Sequence, residues 1–321
     1  MAWLPDHRNF HTQRVLVTGG HGFIGRHVVS ALAEAGANPI STIHPLGVAV
    51  PNLPGETVIV DLADRDQTAG IVRGADLVIH LAARAGGIQF QQEGDPDVFT
   101  TNRRMTDNLL AASADSKVQR FFLASSLVTY RPVDDRLTED HPQLGPTDGP
   151  DPYASSKILD EAAAFNQQGL DAVVGRFGNV YGPGAPFEPE RSTVVHALID
   201  RAVRLDPGDE ELVVWGDGDA IRSFIFVEDA ARALLTVVAS GVPGEAYNID
   251  SGEEVTITQL ATVVSEQVNP SLNLAFDSSR PSGERHRVAS IDKLVSLGFT
   301  PIVGLDEGIR RTVAWHRDNV T

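Results

Sequence analysis

The segment Val15-Leu16-Val17-Thr18-Gly19-Gly20-His21-Gly22-Phe23-Ile24-Gly25 constrains the chain more than any other, because an apolar strand runs directly into a glycine turn and then into a helical pattern. That order of elements builds a dinucleotide-binding corner. Gly19 suits the backbone angles of a tight turn, Gly22 lets the main chain approach a pyrophosphate, and Gly25 lets the helix lie close to the strand. The helix N-terminus turns free N–H groups and a partial positive charge toward the phosphates. The spacing is Gly-x-x-Gly-x-x-Gly rather than the Gly-x-Gly-x-x-Gly of the ordinary fingerprint, so the three glycines alone also suit a structural turn with no ligand.

Composition excludes several chemistries. The chain has 321 residues, 42% of them hydrophobic, enough for one large or two modest domains. It has no cysteine, which removes disulfides, thiolate zinc sites and cysteine nucleophiles, and no metal site is expected. A formal charge of −17 argues against a nucleic-acid surface, which needs clustered Lys and Arg. An anionic small ligand therefore needs local positive groups and helix ends. Met1 to Thr12 hold no continuous apolar segment and no later stretch approaches a membrane span, so no membrane partner and a cytoplasmic location are expected.

Short apolar runs alternate with helical patterns from Val15 to about Phe177, which predicts an α/β fold with a mainly parallel sheet and helices on both faces. The predicted strands are Arg14–Thr18, Pro39–Ile43, Thr57–Val60, Leu77–Leu81, Arg120–Ala124 and Ala172–Arg176. Helices are predicted over Arg26–Ala35, closed by Gly36, and over Val98–Ser113 and Tyr153–Gln167. Gly and Pro thicken in Asn179–Pro189 and Asp206–Asp219, which predicts irregular segments over a pocket mouth. Ser223–Val227 and Ala246–Ile249 read as strands returning to the sheet between visits to a smaller unit. Ligands of open parallel sheets sit beyond the carboxyl ends of the strands. The candidates there are the glycine turn, Asp61-Leu62, Leu81-Ala82-Ala83, Ser125-Ser126 and Asn179.

The strongest chemical pair is Tyr153 and Lys157 in Tyr-Ala-Ser-Ser-Lys. An i,i+4 spacing puts both on one helix face, where an ammonium can lower the phenol's pKa and make it an acid/base. Ser126, at a strand end, adds a hydroxyl for the same substrate oxygen. An isolated Tyr-x-x-x-Lys is usually an ordinary exposed helix face; after a glycine corner and a strand-end serine, in this order, it reads as chemistry.

With these residues in place, the chain resembles an extended short-chain dehydrogenase/reductase of the nucleotide-sugar epimerase/dehydratase family over almost its whole length. The resemblance rests on Gly19 to Gly25, Asp61-Leu62, His80-Leu81-Ala82-Ala83, Asn102, Ser125-Ser126, Tyr153/Lys157, Arg176 with Asn179-Val180-Tyr181-Gly182-Pro183, and Arg222-Ser223-Phe224 leading to Val227-Glu228-Asp229. It implies a Rossmann-type doubly wound parallel sheet over residues 1–180, with a smaller, interleaved substrate-binding unit mainly over 181–321. It implies Tyr153 as acid/base, Lys157 on the nicotinamide ribose and in support of Tyr153, and Ser126 on the oxygen being redox-cycled. Gly19, Gly22, Phe23, Ile24, Gly25, Leu81, Ala82 and Ala83 line the cofactor, and Asp61 and Leu62 resemble the adenine contact. Helices Val98–Ser113 and Tyr153–Gln167 resemble those of a four-helix homodimer interface.

Within the family, Ala82-Ala83-Arg84-Ala85-Gly86-Gly87-Ile88 and Val213-Val214-Trp215-Gly216-Asp217-Gly218 resemble the GDP-fucose synthase / GDP-mannose 3,5-epimerase branch. The implied nucleotide-sugar contacts are Gly87, Ser126 and Asn179, with Trp215 near the base and Arg222 on the pyrophosphate. Trp215 also suits a core or interface position, and Arg222 a surface ion pair. Arg285 and Arg287 either add phosphate contacts or are solvated. That branch moves protons at carbons 3 and 5 with a cysteine and a histidine; Val128 and Thr193 stand there, and His196, one turn on, lacks a partner. Leu127-Val128 also replaces the Asp-Glu of the dehydratases. Hydride transfer alone survives, either as C4 epimerisation through a bound nicotinamide cofactor or as one-way reduction of a 4-keto sugar by NADPH. The frequency of epimerases in the family favours the former. Thr42-Ile43-His44 carries neither a carboxylate for the ribose hydroxyls nor an Arg for a 2′-phosphate, although His21, Arg26 and His44 together can accommodate one. The cofactor is accordingly NAD or NADP, with NAD favoured.

Overall fold

A computed structural model describes residues 10–85, 96–148, 151–188, 192–206, 208, 210–280 and 283–320. Its centre is a seven-stranded sheet of β1 (Arg14–Thr18), β2 (Asn38–Ile43), β3 (Glu56–Ile59), β4 (Leu77–His80), β5 (Arg120–Ser126), β6 (Ala172–Phe177) and β11 (Ala246–Ile249). The order across the sheet is β11-β6-β5-β4-β1-β2-β3, and every neighbouring pair is parallel. The expected sheet is present, with the predicted strands displaced by no more than a residue or two at their ends. Alternate residues feed opposite faces. Val15, Val17, Phe122 and Val173 join one core, while Leu16, Phe121, Leu123 and Val174 join another. Burial on both faces is why the strands read as continuous apolar runs rather than alternating ones.

Helix α1 (Phe23–Glu34) and α6 (Val227–Ser240) cover the first face, and α2 (Arg65–Val72), α3 (Pro96–Asp115) and α4 (Pro152–Asn166) the second. Gly36 follows the last turn of α1 with φ +80°, in the left-handed region expected of its cap. A separate core gathers Leu198 and Ile199 of α5 (Val194–Val203), Leu212 and Val214 of β8 (Glu211–Trp215), Leu260 and Val264 of α7 (Ile257–Val268), and Ile309 and Val313 of α8 (Leu305–Asn319).

Two expectations are corrected. Ala246–Ile249 does return to the sheet, but the Ser223–Val227 strand, formed as β10 (Phe224–Phe226), pairs in parallel with β7 (Asn179–Tyr181) in a sheet of its own. The segments read as irregular also hold strands: β7 opens Asn179–Pro189, and β8, inside Asp206–Asp219, pairs with β13 (Asn273–Asp277). In β8, Leu212 and Val214 face the core while Glu211, Val213 and Trp215 face out, a short alternation masked by the surrounding Gly and Pro. A small three-stranded sheet orders β12 (Val255–Thr256), β9 (Ile221–Arg222) and β14 (His286–Arg287).

Candidate active site

The glycine corner is built from backbone contacts that tolerate no side chain. Gly19 has φ +69°, and a Cβ there would lie 2.9 Å from the amide nitrogen of Ala82 at the end of β4. A Cβ at Gly25 would lie 2.1 Å from the carbonyl oxygen of Gly19, which also accepts the Gly22 N–H at 2.8 Å. Gly22 caps α1 with no side chain bonded to the first turn, so the helix N-terminus keeps its donors for a ligand. This cradle fits a dinucleotide pyrophosphate. The Leu81 N–H donates to the Thr18 carbonyl at 3.2 Å and the Ala82 N–H to Thr18 Oγ1 at 3.3 Å, which ties the segment after β4 to the corner.

His21 is buried and committed to neighbouring protein groups. Its Nδ1 accepts the Val50 N–H at 2.9 Å and its Nε2 bonds to Thr57 Oγ1 at 3.1 Å and Ser41 Oγ at 3.2 Å, while burial and then Arg26 lower its pKa. Arg26 donates to the Gly22 and His21 carbonyls. Only His44 of that trio lies in the open, with Nδ1 accepting the Leu46 N–H at 3.1 Å. Asp61 lies at the carboxyl end of β3, its Oδ1 accepting the Ala63 N–H at 2.9 Å, and the Leu62 carbonyl accepts from Asn108 Nδ2 at 3.0 Å. Asn102 holds the next segment, its Oδ1 accepting the Arg84 N–H at 2.8 Å. Gly87 lies outside the described residues.

Tyr153 and Lys157 occupy the first turns of α4. Asp151 starts that helix, its side chain accepting the Tyr153 N–H at 2.9 Å with Pro152 at the first helical position. Lys157 is 2% exposed, and its Nζ lies 5.7 Å from the Tyr153 ring centroid. Burial lowers the Lys157 pKa, against Asp160 and Glu161, which raise it. The Tyr153 phenol is pushed up, first by burial and then by Asp151 and Asp160, so at rest it is the protonated acid. Ser126 ends β5 and caps the short turn Leu127–Thr129, which packs against α4, and its Oγ accepts the Val128 N–H at 3.3 Å.

Behind the pair lies a buried polar network that sequence reasoning did not identify. His80 Nδ1 bonds to Thr18 Oγ1 at 2.7 Å and Nε2 to Thr106 Oγ1 at 3.2 Å; burial and the Lys157 charge push its pKa down to about 3, so it is neutral. Asp160 Oδ1 accepts from Arg103 of α3 at 2.7 Å. Ser125 donates to Glu161, which also takes Arg176 Nη2 at 2.7 Å; Arg176 Nη1 donates to the Tyr130 hydroxyl, which in turn donates to Asn248 Oδ1, both at 2.8 Å. These bonds fix β5, β6, β11 and α4 relative to one another. Arg176 sits in a recognised motif; for Asp160 and Glu161 no local signal separates a buried carboxylate from a solvated one.

Cationic groups approach from the other unit. Arg287 Nη1 donates to the Leu127 carbonyl at 3.1 Å, next to Ser126, and its charge reaches Asp151. Arg222 is partly buried, donates to the Ile221 and Glu284 carbonyls, and has its pKa lowered by burial and by Arg287. Arg285 is exposed. Asn179 Nδ2 donates to the Ser223 carbonyl at 2.9 Å, joining β7 to the strand that follows Arg222. Trp215 is 45% exposed, with the guanidinium carbons of Arg201 and Arg280 each 5.2 Å from its ring centroid. His196 is no acid/base: it is 1% exposed between the rings of Phe23 and Phe187, its Nδ1 bonded to Thr193 Oγ1 and its pKa pushed down to about 3 by burial. No group of three His, Cys, Asp or Glu among the described residues can hold a metal ion, and no helix there is long and apolar enough to cross a membrane.

The chain is 31% identical over 316 residues to GDP-L-fucose synthase 1 of Arabidopsis thaliana, covering 96% of this chain and 94% of that protein. It is also 31% identical over 321 residues to dTDP-4-dehydro-6-deoxy-D-allose reductase of a Streptomyces species, covering 94% and 96%. Among solved structures, UDP-glucose 4-epimerase of Thermus thermophilus in complex with NAD superposes with a TM-score of 0.80 at 30% identity, covering 96% of this chain and all of that one. A family model for the NAD dependent epimerase/dehydratase family matches residues 15–250, which contain the glycine corner, Ser126, Tyr153, Lys157 and Arg222, and the chain belongs to that family of nicotinamide-dependent enzymes.

Proposed function

We propose that the chain is a nucleotide-sugar 4-epimerase, with a GDP-sugar as substrate, working by transient oxidation of the sugar at carbon 4. One observation carries this reading: Lys157 lies beside the Tyr153 ring on α4, the turn capped by Ser126 packs against that helix, and the positions where relatives carry a further acid/base supply none among the described residues. Leu127 and Val128 cannot titrate, and His196 is turned into the core. Such a site can exchange a hydride and a proton at one carbon but cannot deprotonate its neighbours.

Gly19, Gly22, Gly25, Asp61, Leu62, Leu81 to Ala83 and Lys157 would hold a nicotinamide dinucleotide, which would supply the hydride acceptor and then the donor. Tyr153, after giving up its own proton to solvent, takes the proton of the 4-hydroxyl as a phenolate during oxidation and returns it on reduction, while Ser126 hydrogen-bonds to the same oxygen. Lys157 supplies the positive charge that stabilises the phenolate. Arg222 and Arg287 hold the pyrophosphate, and Trp215, between Arg201 and Arg280, meets the base. Residues 1–180 then seat the cofactor and 181–321 mainly the sugar nucleotide, and two copies pair through α3 and α4. The cofactor is NAD or NADP, with NAD favoured.

A second reading, an NADPH-dependent 4-ketoreductase, draws on the similarity to the Streptomyces reductase and on the lack of a carboxylate after β2. Incubation with GDP-, UDP- and dTDP-sugars, followed by mass spectrometry and proton NMR, separates the two. Interconversion of C4 epimers with no added reductant is expected; stoichiometric NADPH consumption with a 4-keto sugar overturns the epimerase in favour of the reductase.

A further inference from the structure

The surroundings of Lys157 contain an ion whose place in the reaction is not explained by the Ser-Tyr-Lys set. Asp160 lies on α4 one turn after Lys157, and its side chain is fully buried. Its Oδ1 is held at 2.7 Å by Arg103, which reaches across from α3 and also pairs with the exposed Asp107. Its Oδ2 has no hydrogen-bond partner and lies 4.0 Å from Lys157 Nζ. A series of alternating charges thus runs inward from solvent: Asp107, Arg103, Asp160, Lys157.

A buried carboxylate with an orphan oxygen opposes folding, so it calls for a role that offsets this cost. Burial raises the Asp160 pKa, and the charges of Lys157 and Arg103 pull it down. The other titratable groups facing the cluster are His80 from β4, neutral and bonded to Thr106, Glu161, committed to Ser125 and Arg176, and Asp151 at the helix cap. Asp160 is therefore the anion in contact with the lysine ammonium, and it acts against the pull of that ammonium on the phenol.

We propose that Asp160 is a positioning residue for the Tyr153–Lys157 pair: a buried counter-charge, clamped from α3 by Arg103, that offsets the lysine charge and so limits how strongly it acts on the phenol. The role rests on reading Tyr153 and Lys157 as the acid/base pair, but its test needs no substrate. The chain has four tyrosines, so ¹³Cζ-tyrosine labelling gives a short spectrum in which Tyr153→Phe identifies the reporter. With NAD bound, Asp160→Asn is expected to bring the Tyr153 resonance toward its phenolate position about one pH unit earlier than in the wild type. NADH affinity, read by fluorescence, stays within about threefold. A merely structural role moves affinity and leaves the titration in place. A Tyr153 resonance that begins to move at the same pH in Asp160→Asn as in the wild type, or an NADH affinity lowered more than about tenfold, overturns the proposal. Asp160→Ala, which also removes the charge, must shift the resonance in the same direction and decides the matter if the Asn variant does not fold. Should Tyr153→Phe instead retain turnover, the acid/base reading fails while the titration result still stands.

Discussion

Gly25→Ala and Gly70→Ala make the same chemical change inside two helices, and the structure gives them opposite signs. At Gly70, within α2, an added Cβ meets nothing within 4 Å. Alanine's helix preference then acts alone and stabilises by about 0.5–1 kcal/mol. At Gly25 the same preference is overridden, because the Cβ would lie 2.1 Å from the Gly19 carbonyl oxygen and 2.8 Å from Gly20 Cα. Both are backbone atoms, and the carbonyl is tied to the Gly22 N–H, so no side-chain rotation relieves the contact. To restore an ordinary contact of 3.4 Å the turn must retreat by more than an ångström. Overpacking of this kind costs about 1–3 kcal/mol or more, and at about 2 °C per kcal/mol for a chain this long thermal unfolding should fall by about 2–6 °C. The turn that retreats is the one that seats the pyrophosphate, so NADH affinity should drop at least about tenfold, as for other misplacements near 1 Å. Thermal unfolding followed by circular dichroism, with and without NADH, and NADH fluorescence titration measure both effects, with Gly70→Ala raising Tm by about 1–2 °C and leaving binding unchanged. A Gly25→Ala protein as stable as the wild type and binding NADH within about twofold would show that the turn yields freely, and the close-approach reasoning would be wrong.

Tyr153→Phe removes the transferable proton while keeping the ring, and should lower turnover by about 10²–10⁴-fold with NADH still bound; an active variant would refute the acid/base assignment. Asp250 is fully buried at the end of β11, its Oδ2 accepting from Ser223 Oγ and its Oδ1 from the Ser251 N–H, and burial pushes its carboxyl from 3.8 up to about 6. The native state therefore binds this proton more tightly than the unfolded chain does: the group opposes folding progressively as pH rises from about 4 to 6, by about 3 kcal/mol once ionised. Asp250→Asn can keep the Ser251 bond with its oxygen and donate to Ser223 with its amide, so Tm at pH 8 should rise by several degrees and lose part of its slope between pH 4 and 6. A lower Tm at pH 8 would show that the ionised carboxylate is needed there.

The parts of the fold that could be read in the chain are those whose cause is local. Strand, glycine turn and helix follow one another from Val15 to Glu34, and each apolar run of the central sheet is buried on both faces, so composition alone marks it. Strand partners are not local. Phe224–Phe226 has the composition of a central strand, yet it pairs with Asn179–Tyr181 outside the main sheet, a choice made by contacts between residues more than forty positions apart. The site divides in the same way. Tyr153 and Lys157 could be found because one helical turn joins them. Asp160 and Glu161, next to each other on the same helix, were not found, because periodicity assigns adjacent charges to solvent, whereas both are buried here. What buries them is Arg103 from α3 for the one and Arg176 from β6 for the other, guanidinium groups brought in by the sheet and its helix layer. A buried carboxylate in a helix is stable only when a distant cation meets it. The electrostatics that set the Tyr153 phenol are therefore a property of the assembled layers, while the Tyr-x-x-x-Lys spacing supplies only the groups on which they act.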